Sequence, residues 1–213
     1  MKNFPFTNLV NNLEVVRPFG PAIAKVQMPE NLVIKLNDYA DKIIKNDKVA
    51  RKLDHGKYLA GNVKQEFIID AKFEFQKYFF NFLKEVASAY ILKVTEKKIK
   101  EFKVINSWII RQFEDEYNPV HYHTGHLSGV GYLKVPKDMT KNKFLKNKKD
   151  KTNGTIDFIN GQRSFLSKSI FNFVPKERDL LIFPNYLMHT AYPFNINAER
   201  RSFSFNARII FKK

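Results

Sequence analysis

Cysteine is missing from all 213 residues. The chain therefore forms no disulfide and offers no thiolate to a metal. No apolar run approaches the roughly 20 residues needed to cross a bilayer, and the first residues lack the hydrophobic stretch of a secretory signal. A cytoplasmic protein with no membrane partner is the expectation. Nor does any segment recur as in a solenoid. Acidic residues are scarce: 21 Asp and Glu stand against 37 Lys and Arg, for a formal charge of +16. Such an excess favours acidic partners, including nucleic acid. Lysine far outnumbers arginine, however, which fits a solvated surface better than a phosphate-reading one. Nucleic acid is thus a possible partner but not the favoured one.

What the chain does contain is apolar mass. Hydrophobic residues make up 44% and aromatic residues 15%, with 21 Phe, enough to bury a proper core. One α+β domain is expected over 1–213, with a β/α support region over 1–100 and a β-rich core over 101–213. Ala22–Val26 reads as a strand. Pro29 can open a helix in which Leu32, Val33, Leu36, Ala40, Ile43 and Ile44 recur at helical spacing. A longer helix is predicted over Gln65–Leu92, on the stripe Ile68, Ala71, Phe75, Tyr78, Phe79, Phe82, Leu83, Val86 and Tyr90.

From Phe102 the period changes to two. Alternation places Phe102, Val104, Asn106, Trp108, Ile110 and Gln112 on one strand face. Further strands are expected at 120–123, 127–135, 155–159, 170–174, 180–183, 189–194 and 201–211. Eight short strands separated by turns fit a jelly roll or a similar barrel. Seven lysines between 137 and 151 mark a polar insertion after one of these strands, read as solvated, with a lid or docking role as the alternative.

The chemistry concentrates in histidine. Four of the five lie in two short segments, Asn118-Pro-Val-His121-Tyr-His123-Thr-Gly-His126 and Phe183-Pro-Asn-Tyr-Leu-Met-His189. Residues i and i+2 of a strand share a face about 6.7 Å apart. His121 and His123 can thus aim at one point, and His189 can close the shell from another strand. Neutral imidazole is a common ligand of Fe, Zn, Cu and Ni. Eleven residues after His189, Arg200, Ser202, Ser204 and Asn206 share one face of a further strand, and a guanidinium there offers a planar fork for a carboxylate.

The ordered stretches NPVHYHTGHLSGVGYLKVP, GTIDF, DLLIFPNYLMHTAYPF and ERRSFSFN resemble the Fe(II)/2-oxoglutarate-dependent oxygenases, most closely the bacterial and phage-type members. The resemblance runs from about Trp108 to Asn206. It implies a double-stranded β-helix (jelly-roll) core flanked by N-terminal helices, with Fe(II) and 2-oxoglutarate as cofactors. It also implies oxidation of a protein or peptide side chain or a small molecule, with release of succinate and CO2. His121, His123 and His189 would hold the iron, with His126 the alternative to His123. Arg200 would bind the distal carboxylate of 2-oxoglutarate, assisted by Ser202 and Tyr132, with Arg201 as the runner-up. The usual second ligand of that superfamily is Asp or Glu; here it is His123, and Asp115 and Glu116 are the nearby carboxylates that could substitute. The competing expectation is a non-catalytic jelly-roll module that binds nucleic acid or acidic partners through its basic surface.

Overall fold

The computed structural model describes residues 6–18, 20–70, 73–140 and 152–212. Most of the Lys-rich insertion, residues 141–151, lies outside them. The support region supplies α1 (Thr7–Asn11), β1 (Glu14–Val16), β2 (Ile23–Gln27), α2 (Glu30–Ile44), α3 (Asp47–Leu53), β3 (Gln65–Ile68) and α4 (Gln76–Thr95). The core follows as β4 (Ile99–Gln112), β5 (Asn118–His121), β6 (Leu127–Lys134), β7 (Ile156–Ile159), β8 (Ile170–Phe173), β9 (Asp179–Pro184), β10 (Met188–Ala191) and β11 (Arg200–Phe211).

These strands form a seven-stranded sheet in the order β1-β2-β9-β6-β11-β4-β3 and a four-stranded sheet in the order β5-β10-β7-β8. Every pairing is antiparallel. The two sheets are the halves of a double-stranded β-helix. Strands from before residue 100 hydrogen-bond directly to core strands, so support region and core share one sheet.

Alternation decides which side chain serves which layer. Ala24 and Val26, Leu127 and Leu133, Leu180 and Ile182, and Phe203 and Phe205 face the helices and join one apolar cluster with α2 and α4. Their neighbours Ile23, Tyr132, Leu181 and Phe183 point between the sheets, against Ile156, Phe158 and Leu187. Gly129 and Gly131 make room for the phenylalanines of β11. A Cβ on Gly131 would lie 2.3 Å from the Phe203 ring, and one on Gly129 2.4 Å from that of Phe205.

Two expectations need correction. Gln65–Ile68 is the edge strand β3, not the first turn of a long helix, and α4 starts only at Gln76. Its residues pair with Trp108–Arg111 of β4. Sheet pairing outweighed a helical stripe that happened to run on into α4. The second correction concerns β4. Opposite β11, Asn206 pairs with Asn106 but Ala207 with Val104, which leaves Ile105 as a bulge. The extra residue swaps the faces. Phe102 and Val104 therefore pack on the helix side, while Trp108, Ile110 and Gln112 line a cavity on the other.

Candidate metal centre and cavity

The register of the minor sheet brings the histidines together. His121 of β5 is the direct cross-strand partner of His189 of β10. Strand β5 ends at His121, so His123 does not reach the cluster by strand alternation as its i+2 spacing suggested. It lies in the next loop, held at its backbone by Asn185, which accepts from His123 N at 3.0 Å and donates from Nδ2 to His123 O at 2.8 Å. One ligand-capable atom from each of His121, His123 and His189 lies within 4.8 Å of the others. Among the described residues these three alone form such a group.

The donor set suits a metal. The Nδ1 of His121 sits 2.7 Å from Pro119 O, and that of His189 2.9 Å from Leu187 O. A carbonyl can only accept, so each Nδ1 carries the proton and each Nε2 keeps its lone pair free. Burial pushes all three imidazoles below their ordinary pKa, to about 4 for His123 and about 3 for His189; proximity to the other rings adds to the effect for these two. They are neutral near pH 7, the form that ligates. Trp108 meets the His123 ring edge-on at 5.9 Å.

His126 stands outside the cluster, with its Nδ1 against the backbone of Ile209. The nearby carboxylates stand outside as well. Glu116 accepts from the backbone N–H groups of Lys64 and Phe113, and Asp115 occupies a turn at φ 62°. His55 packs on Tyr58.

A cavity of about 220 Å³ opens between the sheets, with the histidine cluster, Tyr132, Arg200, Ser202 and Ser204 among its walls. Arg200 is only 4% exposed. It donates to Gly154 O at 2.7 Å and to the Gln112 side chain. Among the described residues it forms no salt bridge. Ser202 is the cross-strand neighbour of Tyr132, whose buried hydroxyl is pushed up to about 12 by desolvation, against the opposing pull of Arg200. Arg201 faces the helices instead, where it is paired with Glu199, Asp41 and Asn37. Three further contributors to the walls carried no recognisable motif: Gln112, Glu66 and the segment 58–61; Asn118, at the head of the histidine segment, also lines the cavity. The lone acid within the apolar run Gln65–Ile69 was a usable signal, hidden by the helical reading.

Residues 106–206 match the family model described as "Putative 2OG-Fe(II) oxygenase". That stretch carries a 2OG-Fe(II) oxygenase domain, and the class it defines is an oxidoreductase that uses Fe(II) and 2-oxoglutarate. Solved structures share the fold across most of the chain. A prolyl-4-hydroxylase of Pseudomonas putida is 14% identical, with a TM-score of 0.56 over 90% of this chain and 93% of its own. A viral collagen prolyl hydroxylase from Paramecium bursaria Chlorella virus-1, solved with 2-oxoglutarate, is 13% identical, with a TM-score of 0.56 over 88% and 96%. HygX from Streptomyces hygroscopicus, solved with nickel and 2-oxoglutarate, is 10% identical, with a TM-score of 0.53 over 87% and 82%. No curated protein matches the chain in sequence. Among the described residues no helix is long and apolar enough to cross a membrane.

Proposed function

We propose that the protein is a hydroxylase in which His121, His123 and His189 hold Fe(II) and Arg200 anchors 2-oxoglutarate. The observation that carries this reading is Arg200: a buried guanidinium with no carboxylate partner among the described residues, walling the same cavity as three neutral imidazoles. An unpaired buried charge is costly, so the cavity is built to receive an anion. Gln112 and the Gly154 carbonyl fix the guanidinium plane, leaving the rest of its fork for a carboxylate. Ser202 and Tyr132 add hydroxyl donors beside it.

Iron bound at the histidines would supply the redox chemistry by which dioxygen, 2-oxoglutarate and a C–H bond become succinate, CO2 and an alcohol. The chain's own tasks are ligation, orientation of the cosubstrate and exclusion of water. With no carboxylate among His121, His123 and His189, the dianionic cosubstrate itself would balance the charge of a bound metal. Prolyl hydroxylases among the structures of like fold favour a protein or peptide side chain as the substrate oxidised, with a small molecule as the alternative. Succinate formation from 2-oxoglutarate tests the reading. It should require Fe(II) and be lost in Arg200→Ala; succinate formed equally well by that variant would refute the assignment.

A further inference from the structure

One wall of the cavity is left over by this reading. Glu66 on β3 lies beside Ile110 of β4, is 2% exposed, and has an Oε2 that is buried without a hydrogen-bond partner among the described residues. Across from it the Asn118 Oδ1 is also buried and unpartnered. Both residues line the cavity that holds the histidines. The Asn118 oxygen and the other Glu66 oxygen, Oε1, converge on Gly61, while Oε2 lies nearer Gly56. A Cβ on Gly61 would lie 2.2 Å from Asn118 Oδ1 and 3.2 Å from Glu66 Oε1. Gly61 has no left-handed backbone to explain its lack of a side chain; what a Cβ would block is the close approach of these oxygens.

The neighbouring acids are differently placed. Asp54 accepts from Gly56 N at 2.9 Å, and Glu116 accepts from two backbone N–H groups. They surround Glu66 with negative charge but keep their own partners. Burial, then Asp54 and Glu116, lift the Glu66 carboxyl to about 7. Two unsatisfied acceptors amid three carboxylates suit a cation that brings N–H donors. The tyrosines Tyr58 and Tyr122, both largely exposed, stand at the rim and offer ring faces to the same kind of group, although Lys57 already lies 4.8 Å from the Tyr58 ring centre.

We propose that Glu66, with Asn118 and the space over Gly61, is the subsite that seats a cationic nitrogen of the primary substrate, an amine or a guanidinium. This rests on the oxygenase reading for what happens next to the bound group, but the binding itself can be measured apart from turnover. The probes are N-acetyl-arginine amide, N-acetyl-lysine amide and the neutral isostere N-acetyl-citrulline amide. Each is titrated calorimetrically and without oxygen into protein loaded with Fe(II) and 2-oxoglutarate. At least one cationic probe should bind about tenfold more tightly than the citrulline probe, the scale of a charge-assisted hydrogen bond. Glu66→Gln should erase that preference while 2-oxoglutarate binds as to wild type. Gly61→Ala should weaken the cationic probe by filling the space over that residue, and it serves if the first variant unfolds. Binding of neither cationic probe more tightly than the citrulline probe, no binding of either cation, or a preference retained in Glu66→Gln would each overturn the subsite. Failure of 2-oxoglutarate to bind wild type would instead count against the oxygenase reading, and the probes would then be ranked on metal-free protein.

Discussion

Arg200 and Arg201 are adjacent, chemically identical and assigned opposite work by strand alternation. Arg201 is an ion-paired joint between β11 and α2, whereas Arg200 enters the cavity with no acid to meet it among the described residues. Its fork, rather than its charge alone, should matter. Arg200→Lys keeps the charge but loses the bidentate geometry, so 2-oxoglutarate affinity should fall by roughly tenfold to a hundredfold, against near-complete loss in Arg200→Ala. Anaerobic binding titrations check this, and an Arg200→Lys variant with wild-type affinity would contradict it. Glu199 provides a stability test. Burial would raise its carboxyl, but hydrogen bonds from Arg111 and Arg201, and their charges, win and hold it at about 2. Because the folded value lies below the ordinary one of 4.5, the stabilisation is complete above that pH. It fades as pH falls from there toward about 2 and is on the order of 3 kcal/mol. Glu199→Gln should lower stability at neutral pH and flatten the acid limb of the curve in chemical denaturation.

At the level of elements, the strands of the core were readable because each carries a short apolar run closed by turn residues, and the observed bounds fall within about two residues of expectation for β6 to β9. Arg200, Ser202 and Ser204 share the cavity wall as alternation required. Two features were not readable. The bulge at Ile105 depends on the partner strand, and no local pattern announces an unpaired residue. Strand β3 is short, and its pairing with β4 spans about forty residues of sequence, so the apolar stripe of α4 absorbed it. His123 illustrates the same limit: its spacing suggested the right cluster for a reason that does not hold, since Asn185 rather than a strand positions it. Close packing of β6 against β11 yields another test. Gly131→Ala would push a methyl into the Phe203 ring, at a cost of about 1–3 kcal/mol. A lowered denaturant midpoint is expected, and an unchanged midpoint would show that the ring can move aside.

Over the whole molecule, charge and chemistry are separated. The chain is strongly basic, yet one cavity wall carries the buried Glu66, with Asp54 and Glu116 near it, while another carries an arginine with no salt bridge among the described residues. Histidine spacing pointed to the group of three imidazoles; Asp54, Glu66 and Glu116 come from distant segments and share no motif, so only the fold brings them near one another. The four-stranded sheet sets two of the three imidazoles by register, with His121 opposite His189. The central claim is that these imidazoles are one iron site. It is tested most directly by anaerobic Fe(II) titration of wild type, His189→Ala and His126→Ala, each checked for folding. Wild type and His126→Ala should bind one Fe(II) per chain with similar affinity, and His189→Ala should lose at least about tenfold, as removal of a ligand outweighs that of a ligand's neighbour. Equal affinity in wild type and His189→Ala would contradict the account.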